Sequence, residues 1–332
     1  MFKSVTNPTA GDVHVNRPLT NFSQKYLLNT AMFVALRAFP NIAVSKQSDL
    51  YYVFDREDFL RDEAEERADG TESAGGGFDL STEPYFARVY AYHKDVTDRQ
   101  RANQDDQIQL DQSAAQFVTQ KLLIRRERLF VTKFMGTGIW DNELVGDAVS
   151  AGAGEFLKWS NAASDPVKDI RDAKRTIHAQ TGYRPNKMLI GREAFDTLVD
   201  NDGILARVIG GATTDIPAMA LKKLLAELFE LEEIFVMDGV ANTSKKGAVT
   251  QVTGLIGGDN ALLYYAPSVA TLGEPTAAAQ FSWNGLMGNT DAGLRIKRFR
   301  MEPIESDRIE GQMAFDYRLT GAALGFYFSD CV

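Results

Sequence analysis

Fifteen residues, Asp55 to Asp69, hold eight carboxylates and three arginines, and they are the first place to look for acid–base chemistry. Paired carboxylates cleave glycosidic bonds when one is held protonated beside an ionised partner, which needs burial or a shaped pocket. Eleven charged residues in fifteen describe a solvated run, or one that meets a neighbouring molecule. The three histidines, His14, His93 and His178, have no second His or Cys at ligand spacing. His178 is expected near a helix C-terminus, where a cation gains from the dipole. Asp200-Asn201-Asp202-Gly203 resembles the middle of a calcium loop, yet that register puts Leu198 and Ile209 where oxygen ligands are required. A helix-terminating turn is expected there instead. Gly75 to Gly77 follow charge, not a buried strand, so they form a flexible tip rather than a dinucleotide loop. No Gly-x-Ser-x-Gly elbow or phosphate loop ending in Gly-Lys-Ser/Thr occurs. Cys331, the single cysteine, is expected as a free surface thiol. Catalytic, cofactor and metal roles are assigned to no residue.

With 332 residues, 44% hydrophobic and 24% charged, the chain can bury one substantial core or two. A net charge of -9 argues against a nonspecific nucleic-acid binder held by phosphates. The apolar stretch Ala31–Leu36 is far short of the roughly 20 residues that cross a membrane. Met1 to Ala10 lacks the apolar centre of a secretory signal, and the cysteine usage fits a reducing cytoplasm. Basic residues gather at Lys121 to Lys133 and at Arg295 to Arg300. Acid from another subunit is the expected partner of at least one cluster.

The elements that must carry these residues are mixed. Residues 1–45 read as an extended arm, interrupted by Pro8, Gly11 and Pro18, with a short amphipathic helix through Phe22, Tyr26, Leu27 and Thr30 to Leu36. Strands at Leu50–Phe54 and Tyr85–Val96 flank the charged stretch. They predict a long two-stranded excursion that something outside it must hold down, since an isolated hairpin is marginal. Asn103–Met135 is the strongest helix, with Asp105, Asp106 and Asp111 at its start and Arg125, Arg126, Arg128 and Lys133 at its end. At about 46 Å it should run along one edge of an elongated body. Asp165 caps a further helix that Pro166 opens and Gly182 ends. Then come a strand at Lys187–Ile190, helices at Arg192–Val199 and Ile216–Phe229, and a strand at Ile234–Met237. Strands near Gln251–Ile256, Ala261–Tyr265 and Ala279–Trp283 follow, and Met313 to Leu319 alternates in period two. The class is α+β.

This order of arm, charged hairpin, long helix, glycine connector, capped helix and strand-rich half resembles the major capsid proteins of tailed bacteriophages, with the Hong Kong 97-type fold. Trp159-Ser160-Asn161 through Asp165-Pro166-Val167-Lys168-Asp169-Ile170 to Thr181-Gly182-Tyr183-Arg184-Pro185-Asn186-Lys187-Met188-Leu189-Ile190-Gly191 looks like that family's passage from peripheral to axial domain. The resemblance implies an N-terminal arm (1–45), an extended loop (46–102) and a peripheral domain (103–189) with spine helix 103–135. It further implies an axial domain (190–285) and return strands (286–332). A structural, non-enzymatic role follows: hexamers and pentamers of the chain closing into an icosahedral virion shell around double-stranded DNA, without sequence-specific binding, cofactor or membrane. Assembly would take place in the bacterial host cytoplasm with portal, scaffolding and possible cement or decoration proteins; no scaffolding segment precedes the arm, so a separate scaffold is expected. Expected assembly contacts are Phe22, Tyr26, Arg56, Asp58, Arg61, Glu63, Arg67, Phe78 and Tyr85. Three rivals stand beside this reading: an encapsulin-like nanocompartment shell of the same fold, a soluble hydrolase using the 55–69 carboxylates, and a phage tail component.

Overall fold

The computed structural model describes residues 28–103, 109–209, 218–270, 273–287 and 294–332. Its elements run β1 (Asn41–Val44), β2 (Ser48–Phe54), α1 (Arg56–Leu60), β3 (Leu80–Phe86), β4 (Arg88–Thr97), α2 (Asp98–Ala102) and α3 (Leu110–Phe134). Next are β5 (Asn142–Asp147), β6 (Glu155–Leu157), α4 (Pro166–Thr181), β7 (Lys187–Gly191), α5 (Arg192–Asp200), α6 (Asp202–Ile209) and α7 (Ala218–Leu228). The remainder is β8 (Glu233–Met237), β9 (Val240–Asn242), β10 (Thr253–Leu255), β11 (Ala261–Tyr264) and β12 (Ala278–Trp283). It closes with α8 (Asn284–Met287), β13 (Leu294–Met301), β14 (Ser306–Leu319) and β15 (Gly325–Ser329).

Contacts divide the chain into two units. The larger comprises Asn29–Ala91, Leu122–Arg295 and Gln312–Val332. Its main sheet has six strands in the order β6-β5-β15-β11-β7-β8. Strand β11 is antiparallel to β15 and β7, whereas β5 runs parallel to β15 and β8 parallel to β7. Parallel neighbours need long crossovers, and α5 to α7 supply the one between β7 and β8. Alternation sorts the side chains. Met188, Ile190, Leu263 and Phe328 join Ile170, Ile177, Leu198 and Leu225 of the helices in one core cluster. The neighbouring residue Tyr264 meets Phe39, ring centroids 4.8 Å apart. Helix α4 forms as its ends dictate: Asp165 accepts from the Lys168 N–H, Pro166 occupies the first turn, and Gly182 adopts the left-handed φ of 76° that a side chain would strain.

The smaller unit holds Tyr92–Lys121 and Ile296–Gly311. Val96, Ala114 and Ile309 form its apolar centre, with Leu110 and Ala115 packed against them.

Several expectations change. In place of a helix through Thr30 to Leu36 there is a single 3-10 turn, Thr30–Met32. The Val34 and Ala35 N–H groups instead donate to the buried Glu127 carboxylate, at 3.1 and 3.0 Å. A distant carboxylate thus overrides local helix bonding. The strand expected over Tyr85–Val96 is two strands separated by Ala87: β3 pairs with β2, and β4 pairs with β14. The long helix is described from Leu110, and Asn103 ends α2. Asp105 and Asp106 lie outside the described residues, as do Phe22, Tyr26 and His14. Cys331 is no surface thiol. It is fully buried in the helix-side core, and burial raises its pKa well above the usual thiol value.

Candidate assembly surface

The hairpin of β2 and β3 is built in register from Ser48 opposite Phe86 to Phe54 opposite Leu80. Period-two alternation gives it two faces of different fate. On one, Tyr51 and Tyr85 pack on Phe281 of β12, with centroids 5.3 and 4.7 Å away. The Phe86 N–H adds a bond to the Asp316 carboxylate at 3.0 Å. The base is therefore held by its own subunit. On the other face Leu50, Tyr52, Phe54 and Leu80 are exposed by 59, 64, 42 and 49%.

Beyond the strands the chain makes α1, whose N-terminus is capped by Asp55 accepting from the Glu57 N–H at 2.9 Å. Asp58 reaches back to accept from the Asp79 N–H at 2.8 Å, and Arg61 pairs with Asp58 and Glu63 at 3.4 and 3.2 Å. These bonds fold the tip so that Phe54, Phe59 and Phe78 form a triangle with centroids 5.4 to 6.1 Å apart. Phe59 and Phe78 are nonetheless 61 and 57% exposed. Gly76 lets Glu63 lie against the backbone, where a Cβ would collide with its carboxylate. Full coverage of one such aromatic or leucine side chain releases about 1.5–3 kcal/mol. An exposed ion pair gives only about 0–1 kcal/mol. On these magnitudes, a partner covering the apolar face would draw its affinity there, and the charges would set only register.

The sequence-predicted contacts divide accordingly. Arg56, Arg61, Glu63, Arg67 and Phe78 are exposed on the tip, and Asp58 is partly covered by its own hydrogen bond. Arg67 donates to the Thr71 carbonyl. Tyr85 is 6% exposed and already engaged within the subunit.

Members of both basic clusters find partners in this chain, Arg298 and Arg300 of one and Arg126 of the other. In the smaller unit, Arg298 pairs with Asp111 and Asp307 at 3.0 and 2.6 Å, Arg101 with the same two acids, and Arg300 with Asp98 at 2.6 Å. Arg308 grips Asp95 through two bonds of 2.8 and 2.9 Å. Hydrogen bonds from Arg298 and Arg101 hold the Asp307 carboxyl down at about 2. In the larger unit Arg126 is buried rather than on a solvated face; it donates to the Tyr317 hydroxyl at 3.2 Å and stands 4.5 Å from the Phe315 ring centroid. Sequence reasoning missed this lattice because Asp95, Asp98, Asp111 and Asp307 are scattered along the chain and meet only through the fold. Asn201 forms the expected turn: its side-chain carbonyl accepts from the Gly203 and Ile204 N–H groups.

An architecture of this order, with a long helix, a projecting hairpin and a six-stranded sheet covered by helices, is the phage major-capsid fold of the Hong Kong 97 type. Residues 157–275 match the family model described as phage major capsid protein E. Over 232 residues the chain is 27% identical to the major capsid protein of Burkholderia phage BcepMu, covering 69% of each sequence. A phage-related protein of Bordetella bronchiseptica has the same fold, at 19% identity, a TM-score of 0.66 and 94% coverage of both chains. The bacteriophage PhiM1 mature capsid subunit also shares it, at 10% identity and a TM-score of 0.57, covering 96% of this chain and 92% of that one. In sequence the chain is similar to phage major capsid proteins, and in fold to phage capsid subunits.

Proposed function

We propose that the hairpin tip is the principal contact through which copies of this chain tile into a closed icosahedral shell around double-stranded DNA. The observation that carries the reading is the solvent-facing Phe54–Phe59–Phe78 triangle on a two-stranded projection. A patch of that kind on a limb with so little core of its own is what a protein interface leaves when its copies are separated. Copies complete one another's apolar surface, and many modest contacts sum to a stable shell through multivalency.

In this reading 1–45 is the arm, 46–102 the extended loop, 103–189 the peripheral domain, 190–285 the axial domain and 286–332 the return strands. Hexamers and pentamers form in the host cytoplasm, with portal, scaffolding and decoration proteins as further partners. The role is structural, not enzymatic. The net charge of -9 suits a container that must not grip its polyanionic cargo. Sequence likeness to phage capsid proteins, beyond fold, favours this cargo over the enzyme of a nanocompartment.

Electron microscopy of the purified protein tests the proposal. Closed shells are expected from the native chain, and none from a variant with Phe54, Phe59 and Phe78 all changed to serine, its subunit still folded. Normal particles from that variant would defeat the assignment of the hairpin.

A further inference from the structure

Helix α4 carries Arg171, Lys174, Arg175 and His178 at helical spacing, so all four share one face. With Arg184 and the end of α7 they line an open groove of about 350 Å³. Its floor is apolar, from Val167, Ile170 and Phe229; its lining has five basic side chains and one acid, Glu230. That acid is already used. It pairs with Lys174 at 2.8 Å, and Lys174 also donates to the Phe229 carbonyl at 2.7 Å. Lys174 first, and Arg184 and Arg171 at longer range, hold its carboxyl below the ordinary value. Arg175 leans on Asp172 at 3.4 Å. Among the described residues Arg171 and Arg184 have no ion-pair partner of their own, and both are exposed.

The opposite pattern exists at the hairpin tip. Asp62, Glu65, Glu66 and Asp69 are exposed and form no ion pair among the described residues. They follow directly on Phe59 and Leu60, so the tip is apolar and then acidic, while the groove is apolar in its floor and basic at its rim. We infer that the groove between α4 and α7 receives the acidic tip, residues 55–69, of a second copy of this chain. The inference rests on the reading of the hairpin as an assembly limb and names the surface it meets. The subunit's own tip does not fill the groove: Leu60 lies beside Gly182 at its edge, about 4.0 Å from where a Cβ would be, and no tip carboxylate reaches the arginines. Opposite unpaired charge on two exposed surfaces fixes which partner is accepted and in what register.

Charge exchange between two variants tests it. One carries the tip reversal Asp62→Lys, Glu65→Lys and Glu66→Lys; the other carries the groove reversal Arg171→Glu and Arg184→Glu. Each alone is expected to keep its thermal unfolding midpoint and to lose shell yield about tenfold or more. An equimolar mixture restores the yield, because each tip now meets a complementary groove on the other species. Restoration in the doubly reversed single chain but not in the mixture would place the contact within one copy and overturn the proposal. Normal yield from either variant alone would also overturn it. So would unchanged yield with DNA lost only from the groove variant, which makes nucleic acid the occupant. Absence of shells from the native chain is the separate outcome that removes the assembly reading itself, and this inference with it.

Discussion

The ring of Tyr85 lies flat on that of Phe281, with centroids 4.7 Å apart and planes 3° from parallel. This stack joins the second strand of the hairpin to β12 and so anchors the base of the hairpin. Removing it by Tyr85→Ala costs the packing of a buried aromatic, about 3–5 kcal/mol in a well-packed core. The hairpin should then detach while the six-stranded sheet stays intact. Limited proteolysis across residues 61–79 reads this out: cleavage accelerates in Tyr85→Ala and stays near the native rate in Tyr85→Phe, which keeps the stack. Equal rates in all three proteins would show that the hairpin is held elsewhere.

Glu127 is fully buried, and desolvation pushes its carboxyl up to about 7 although two backbone N–H groups and, at longer range, Arg126 and Arg37 favour its charged form. A carboxyl whose pKa is raised on folding takes up a proton as the chain folds. Its contribution is therefore full below the unfolded value near 4.3 and is lost as pH rises through about 7. The span corresponds to roughly 3.5 kcal/mol at most. Urea unfolding of dispersed subunits should show stability falling from pH 5 to pH 8. In Glu127→Gln, which keeps an acceptor and drops the charge, that slope should vanish. A slope unchanged in the variant would assign it to another group.

How much of this could be read from the chain alone follows from where each signal resides. The α4 helix was legible from end to end because Asp165, Pro166 and Gly182 act within a few residues of the backbone they terminate. Strands such as β7 and β12 were legible for a similar reason, as short apolar runs between breakers. The hairpin was legible as a projection, but its register was not: nothing local to Tyr85–Val96 tells that the run breaks at Ala87 and serves two different partners. Thr30–Leu36 failed in the same way, its helical pattern yielding to Glu127 some 92 residues away. The aromatic triangle was half visible. Phe78 stands out beside the glycines, whereas Phe54 reads as strand interior and Phe59 sits in a run of charge.

Asp307 stands where three arginines converge, at 2.6 Å from Arg101, 2.6 Å from Arg298 and 3.8 Å from Arg300. Its carboxyl is held at about 2, by hydrogen bonds from Arg298 and then Arg101. A depressed carboxyl stabilises above its unfolded value, near 3.9, and that contribution disappears as pH falls toward 2. Asp95 and Asp98 are lowered by Arg308 and Arg300 and act in the same direction. The smaller unit should therefore be the acid-labile one. Amide protection of residues 92–121 and 296–311, taken against the intrinsic exchange rate at each pH, should fall between about pH 4 and pH 2, and Asp307→Asn should show lower protection already at pH 7 with a shallower acid dependence. Acid opening of the six-stranded sheet before this unit would contradict the assignment.

Cys331 lies one residue from the end of the sequence, yet its sulfur is enclosed with Phe328 and Trp159 in the helix-side core. Thiolate is the reactive form, and burial disfavours it. Ellman's reagent should therefore modify native subunits slowly, with the rate rising to that of a free thiol in denaturant. Immediate reaction in the native protein would place the C-terminal strand outside the core.

The exposed triangle yields the most direct separation of folding from association. Phe59 and Phe78 bury little within their own subunit, so Phe59→Ser with Phe78→Ser removes little that the isolated fold uses. A change of about 0.5 kcal/mol or less in subunit stability is expected, as at other surface positions. The same two side chains are large apolar groups offered to another molecule, and losing both should reduce shell yield far more than that stability change explains. Unfolding curves and particle counts from one preparation make the comparison. A parallel loss of both would mean that the triangle stabilises the subunit. A loss of particles alone means that the aromatic face is completed by a neighbour.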